Sequence, residues 1–412
     1  MAVLRLVGPL QQVGIQFIMG NQGIDIDPSA VSRADLVVIQ RDFPRMGALY
    51  EEVIAQAHHE GKPIIYEIDD LLLEVPPDHS HYQDYQGVLL PILRALIEAD
   101  AVTVSTPTLF SALRPFNPNI HLLPNFLNEN IWSLQSPSEQ VPTSNQKPPT
   151  IIGYMGGETH NLDLEEITPA LTQVLHKYGE QVRLYFWGGS PPKSLLDLPQ
   201  VEWISFNQND YLEFARFFST QHCDLFIAPV RDNLFNRCKS AIKFLEYCSL
   251  GIPGVYSRLP MYEEVIRHGE NGLLAGSQDE WLTCLSQLIE SPAVRFQMAS
   301  HAQKTVQDDW LLSQHSHEWL TAYQQTLIRF TPLTIRPRQW STEDWRPLLL
   351  SVASQTEAYL SSLESHSSQP DRITDIQQSR TWRMVQRIQR LREQLIPPGS
   401  RREHLLGLSR KQ

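Results

Sequence analysis

The chain has 412 residues, of which 42% are hydrophobic and 19% charged, and it carries a formal net charge of −12. That length suits two α/β domains plus an appendage, and the balance is globular rather than disordered. No apolar run approaches the 18 residues of a membrane span, and an acidic body without a nucleic-acid-binding module argues against a nucleic-acid partner. The opening lacks the basic region and longer apolar core of a signal peptide. The cysteines, Cys223, Cys238, Cys248 and Cys284, show no CxxC spacing and read as free thiols of a reducing cytoplasm.

In chain order, VLRLVG reads as a first strand, followed by a loop holding Gly8, Gly14 and Gly20. ADLVVIQ and KPIIYEI read as strands on either side of a helix over Leu49 to His59. Asp69 and Asp70 end the second of these, just before a loop that carries His79 and His81. Two histidines that close together on a loop make no metal site without further ligands. A helix over Leu89 to Ala99, the strand AVTVS and the run IHLLPN complete a short first domain, residues 1–132. Residues 133–150 are polar and Pro-rich, as a linker is.

The rhythm then repeats over residues 151–330. Strands TIIGYMGG, VRLYFWGG, VEWIS, CDLFIAPV, IPGVYS and NGLLA alternate with helices over Leu164 to Tyr178, Tyr211 to Thr220 and Ser240 to Leu250. Three closing helices fall within 277–328. Strand–helix alternation predicts α/β architecture: two doubly wound, parallel-sheet, Rossmann-like domains whose strand ends face one cleft. Residues 331–412 read as a separate helical tail. Its last 41 residues hold ten Lys/Arg against three Asp/Glu, a net +7 that leaves −19 for residues 1–371. There Trp382, Val385, Ile388, Leu391 and Leu395 alternate with Arg380, Arg383, Arg387 and Arg390. Such a helix suits an anionic membrane surface, a partner helix, or a solvated face packed on its own protein.

Two segments carry chemistry. On one helix, Lys239, Lys243 and Glu246 would fall at i, i+4 and i+7, so two ammonium groups and a carboxylate would share a face. Ala241, Phe244, Leu245 and Cys248 form the apolar stripe opposite. Free N–H groups at the helix start suit a phosphate, and Glu246 would accept both hydroxyls of a ribose. Together they describe a pocket for a nucleoside diphosphate; a merely solvated lysine face is the plainer alternative. The second segment is the glycine turn Gly153, Gly156 and Gly157, with Thr159 or Asn161 to cap the next helix and His160 aimed at a phosphate or sugar.

The run from Lys239-Ser240 through Lys243, Glu246-Tyr247, Gly251, Pro253, Ser257, Tyr262, Ile266 and Gly269 to Asn271-Gly272 resembles a known segment. It is the donor-binding segment of retaining, nucleotide-sugar-dependent glycosyltransferases of the GT-B fold, family-4 kind. GYMGGETHNLDL is similar to a run of one subgroup, and YEIDDLL to its first-domain edge. Many relatives carry a second glutamate eight positions before the ribose-binding one; here that position is Cys238.

The resemblance implies transfer of a sugar from a nucleoside diphosphate sugar, with retention, to a saccharide or lipid-linked acceptor. It implies an enzyme that needs no metal or cofactor, the nucleotide sugar being a co-substrate; the free thiols point to the cytoplasm, and the basic tail leaves open a peripheral place at the inner membrane face. It assigns His160, Lys239 and Asp70 to the chemistry and Gly156, Gly157, Thr159, Lys239, Ser240, Lys243 and Glu246 to the donor. Two other readings stay open: a non-catalytic GT-B-like scaffold and a GT-B sugar-nucleotide epimerase.

Overall fold

The computed structural model describes residues 2–22, 25–137, 148–206, 210–330, 346–365 and 370–395. The β-branched and aromatic runs become strands where their composition favours a pleated, buried surface. They divide between two units. Unit 1 joins Met1–Met19, Val104–Phe110 and His121–Arg329; unit 2 joins Gly20–Thr103, Ser111–Ile120 and Phe330–Gln412. Most of the expected linker (138–147), the turn-rich stretch 331–345 and the break 366–369 lie outside the described residues.

A short antiparallel pair, β1 (Asn21–Gln22) and β2 (Asp25–Ile26), precedes two larger sheets. The first comprises β3 (Val37–Gln40), β4 (Ile64–Ile68), β5 (Ala101–Val104) and β6 (Ile120–Leu122), in chain order. The second comprises β7 (Thr150–Gly156), β8 (Val182–Gly188), β9 (Val201–Ile204), β10 (Leu225–Ala228), β11 (Gly254–Ser257) and β12 (Leu273–Ala275). All its pairings are parallel and its order is β12-β11-β10-β7-β8-β9, so strand order reverses between β7 and β10. Ligands in open α/β sheets bind beyond the carboxyl ends of the strands at such a reversal.

Each face of the six-stranded sheet is covered. On one, Ile152, Tyr154, Leu184 and Ile227 pack with Leu164, Leu171, Leu285 and Leu288 of the helices Asn161–Tyr178 and Gln278–Glu290. On the other, Met155, Trp187 and Phe226 pack with Phe218, Phe244 and Tyr247 of the helices Tyr211–Phe218 and Ile242–Ser249. Gly153 sits under this second layer. A Cβ there would stand 2.7 Å from Cys223 Sγ and from Trp187, so the close strand–aromatic packing requires glycine. All four cysteines are free thiols.

The opening differs from the strand expected of VLRLVG. Val3–Val7 is a π-helical turn that continues into the helix Gly8–Gln12. The reason is Arg5, which is fully buried and whose Nη1 donates to Leu123 O and to Asn125 Oδ1 (2.9 Å). The Arg5 carbonyl accepts from Trp319 Nε1 at 2.8 Å, and the guanidinium lies 5.7 Å from the Trp319 ring centroid. A helical turn satisfies all of these from one residue. With that segment helical, the four-stranded sheet begins at Val37, and its strands run in chain order without a reversal.

The helices Arg346–Ser365, Pro370–Gln378 and Arg380–Leu395 pack on one another, and the first and last also pack on the unit 2 helix Leu89–Glu98. Leu349, Val352, Ala353, Trp382 and Val385 are buried, and Gln355 Nε2 donates to Leu73 O at 3.3 Å. Part of the apolar stripe noted in the sequence is therefore consumed within unit 2, while Arg380, Arg383, Arg387 and Arg390 remain exposed. The side chains of Ile388, Leu391 and Leu395 lie outside the described residues. No described helix is long and apolar enough to cross a membrane. Trp382→Ala should cost unit 2 about 3 kcal/mol through the cavity it leaves. Limited proteolysis should then cut within 346–395 before it cuts unit 1, and an unchanged cleavage pattern would count against this packing.

Candidate functional site

At the reversal, β7 ends in Gly156, and Gly157 leads into the turn Glu158–His160 and the helix Asn161–Tyr178. Gly189 N donates to Gly156 O at 2.6 Å, which ties the end of β7 to the end of β8. Gly156 is needed for its bareness. A Cβ there would collide with Tyr154 Oη and stand 3.2 Å from Lys243 Nζ. The Lys243 ammonium lies 4.9 Å from the Tyr154 ring centroid, which is within cation–π range. Both Lys243 Nζ and Tyr154 Oη are buried, and neither has a hydrogen-bond partner among the described residues.

The helix that carries Lys243 is shorter than expected. It runs Ile242–Ser249, with Ala241 as its N-cap, so Lys239 and Ser240 belong to the approach and not to the helix. The turn Leu234–Arg237 and Cys238 come first, Lys239 N donating back to Asn236 O at 3.1 Å. Lys239 Nζ stands 4.9 Å from the Phe235 ring centroid. Ser240 Oγ accepts from Asn125 Nδ2 at 2.7 Å, and Asn125 is the residue whose Oδ1 accepts from Arg5. Thr106 Oγ1 donates to Cys238 O at 2.8 Å. The two lysines and Glu246 are thus gathered by a loop and a helix start rather than by one helical face.

His160 is held by a residue that the sequence reading passed over. Its Nδ1 lies 2.8 Å from Asp163 Oδ2, while Asp163 Oδ1 accepts from Arg231 N at 2.9 Å. Burial, reinforced by the charges of Lys243 and Lys239, pushes the His160 imidazole down to about 4 against the pull of Asp163. Burial opposes ionisation of Asp163, but the His160 hydrogen bond, the Arg231 amide and the Lys239 charge outweigh it and hold the carboxyl below its ordinary range. A neutral ring beside an ionised carboxylate carries its proton on Nδ1, so Nε2 is left as an acceptor. The spacing i, i+3 at a helix start was the available signal for Asp163. The expected caps are corrected here: His160 itself is the N-cap, and neither Thr159 nor Asn161 supplies a capping side chain.

Glu246 is buried, and its Oε1 accepts from Tyr211 Oη at 3.0 Å. Burial raises its carboxyl to about 7, against the lowering effects of Tyr211 and Lys243. Lys243 moves the other way: burial brings it down to about 8, with Asp163 and Glu246 resisting and Lys239 assisting. The structure therefore brings Gly156, Gly157, His160, Lys239, Ser240, Lys243 and Glu246 to the carboxyl edge of one sheet, with Thr159 in the adjoining turn.

Asp70 belongs to unit 2. There Arg41 Nη1 contacts Asp69 Oδ1 and lies 3.0 Å from Asp70 Oδ2, at the carboxyl ends of β3 and β4. Arg41 has φ +47, a rare value for a residue with a Cβ, and its carbonyl accepts from Tyr66 Oη. Glu67 is buried and bonded to Gln40 Nε2 at 2.8 Å, so it serves β3–β4 pairing and not the strand end.

A six-stranded parallel sheet that reverses at a glycine turn, with a second α/β unit in the same chain, is the architecture of the GT-B fold, and the solved structures that the chain resembles share it. Residues 149–291 match the model of the family Glycosyl transferases group 1. Among solved structures, HepE of Anabaena in complex with UDP-glucose is similar at 17% identity and TM-score 0.51, over 76% of this chain and 88% of that one. Sucrose-phosphate synthase from Thermosynechococcus elongatus is similar at 15% identity and TM-score 0.52, over 73% and 75%. TarM is similar at 13% and TM-score 0.51, over 73% and 59%. No curated protein sequence matches the chain.

A buried ammonium with no hydrogen-bond partner costs stability, which Lys243→Met removes at nearly the same volume. We expect that variant to be more stable than the wild type by about 1–3 kcal/mol near neutral pH. Because the folded-state pKa is depressed to about 8, the unfolded chain holds the extra proton above that pH. Wild-type stability from this group is lowest below pH 8 and recovers as pH rises towards the ordinary lysine range, so the advantage of the variant should shrink there. Urea unfolding at a series of pH values measures it; a variant less stable than wild type at neutral pH would refute the account.

Proposed function

We propose that the protein moves a sugar from a nucleoside diphosphate sugar to a saccharide or lipid-linked acceptor, with retention of anomeric configuration, in polysaccharide or glycolipid assembly. The observation that carries this reading is the unpartnered pair Lys243 Nζ and Tyr154 Oη beside Gly156. Two buried polar groups left without partners, next to a bare glycine and the starts of two helices, suit an anionic ligand that would complete them.

In this reading the diphosphate lies along the glycine turn, and Lys239, Lys243, Ser240 and the free N–H groups of the helix Ile242–Ser249 take the charge that develops on departure. Electrostatic stabilisation of a leaving diphosphate and an oxocarbenium-like sugar supplies the rate, and no strong side-chain nucleophile is required. Glu246 accepts the ribose hydroxyls. His160, neutral and fixed through Nδ1 by Asp163, presents Nε2 to a sugar hydroxyl. Asp70, held by Arg41, serves the acceptor side. The UDP-glucose complex of the HepE neighbour makes UDP and its sugar conjugates the first donors to try. The exposed arginine row of the last helix suits contact with an anionic membrane face on the cytoplasmic side, or with an acidic partner.

A thermal-shift panel of nucleoside diphosphates and their sugar conjugates, on wild type and Glu246→Ala, tests the pocket. A ligand at ~100 times its Kd stabilises by about 2.7 kcal/mol, and we expect one diphosphate series to do so and to lose the effect in Glu246→Ala. Lys239→Ala should lower turnover by about two orders of magnitude while leaving unfolding of the free protein within a few degrees. No shift with any nucleotide would overturn the reading. Binding without transfer or donor hydrolysis would favour a scaffold, and conversion of the donor without acceptor would favour an epimerase.

A further inference from the structure

A hydrogen-bonded chain behind Glu246 leads further. Trp132 Nε1 lies 2.9 Å from Tyr211 Oη, and Tyr211 Oη lies 3.0 Å from Glu246 Oε1. An indole N–H is only a donor, so Tyr211 Oη must accept from Trp132. The single phenolic proton is then committed to Glu246 Oε1. The direction of the chain is fixed from Trp132 to Tyr211 to the carboxylate.

Its members are held stiffly. Asp210 caps the helix Tyr211–Phe218, its Oδ1 accepting from Leu212 N (2.8 Å) and Glu213 N (3.0 Å), which sets Tyr211 at the first helical position. Trp132 is 1% exposed and packs edge-on against Tyr211, Phe214 and Phe218. An isolated buried carboxylate would turn on its stem or take up a proton. With one lone pair of Oε1 engaged, the remaining acceptor sites point in a defined direction. A vicinal diol offers two donors to such a carboxylate and a 2′-deoxyribose only one.

We infer that Tyr211, itself oriented by Trp132, is a positioning residue that aims the Glu246 carboxylate at the two ribose hydroxyls and thereby selects ribonucleotides over 2′-deoxyribonucleotides. This rests on the nucleotide-binding reading of the site. Tyr211 also opposes protonation of Glu246: burial raises the carboxyl, and the phenol works against that rise. Protonation removes acceptor capacity, so nucleotide affinity falls as pH drops through the carboxyl's pKa. Loss of the phenol moves that fall to higher pH.

Isothermal titration of the full chain with UDP, ADP and GDP and with their 2′-deoxy forms, across a pH series, tests the inference on wild type, Tyr211→Phe and Trp132→Phe. Wild type should prefer the ribonucleotide by about tenfold or more, the worth of one hydrogen bond to a charged group. Tyr211→Phe keeps the ring packing; its preference should drop to about twofold or threefold, with the pH at which affinity falls displaced upward. Trp132→Phe should lie between the two. An unchanged preference and an unchanged pH profile in Tyr211→Phe would overturn the inference even if all affinities weakened together, because a loss of packing alone changes neither. Failure of wild type to bind any of the three diphosphates would overturn the proposed function itself, and this inference with it.

Discussion

An ammonium group that is buried without a hydrogen-bond partner among the described residues is the constraint on which the site in unit 1 turns. Lys243 Nζ sits over the Tyr154 ring, against the bare face of Gly156, with Asp163 and Glu246 as the carboxylates that temper it and Lys239 as a second cation that aggravates it. Burial drives the lysine down and the glutamate up, so both lie closer to neutrality than either would in water. Such a balance leaves the ammonium incompletely compensated, and the proposed diphosphate would supply the missing counter-charge. The hydrophobic layers on the two faces of the sheet hold this arrangement in place, because Gly153, Trp187 and Phe226 are packed too closely for the strand end to shift.

Much of the architecture was legible because the apolar runs are long and their breaks are sharp. The strands of unit 1 fall where IIGYM, VRLYFW, LFIA and GVYS stand, and the helix Asn161–Tyr178 carries the apolar spacing read from it. The opening run was misread because periodicity cannot distinguish a five-residue strand from a helical turn. What decided it was Arg5, whose partners Leu123, Asn125 and Trp319 lie more than a hundred residues away. The boundary of the Lys243 helix failed for a similar reason. Cys238 is tied to Thr106, and Ser240 to Asn125, so tertiary bonds end the preceding turn where propensity would have carried the helix through.

In the candidate site the sequence supplied the residues that would face a ligand and missed those that stand behind them. Asp163, Tyr211, Trp132 and Asn125 come from four separate stretches, and nothing in a single chain marks a Trp as the hydrogen-bond donor to a Tyr 79 positions later. Only Asp163 left a local trace, three residues past His160 on a helix start. In unit 2 the adjacent aspartates were visible, but their shared cation was not. Arg41 reaches them from the end of the neighbouring strand in a backbone conformation that composition does not announce.

The amide of Asn125 has a consequence for proton bookkeeping. A guanidinium has no acceptor, so the contact with Arg5 obliges the Asn125 oxygen to face it and turns the Nδ2 towards Ser240. The serine oxygen is thereby made a recipient, and its own proton is not spent on Asn125. A polarity set in the first turn of the chain thus reaches, through one side-chain amide, the serine that precedes the Lys243 helix. The Trp132 chain runs in the same sense and terminates on a carboxylate. Two hydrogen-bond lines of equal direction therefore end on unlike groups, one on a serine hydroxyl and the other on a carboxylate.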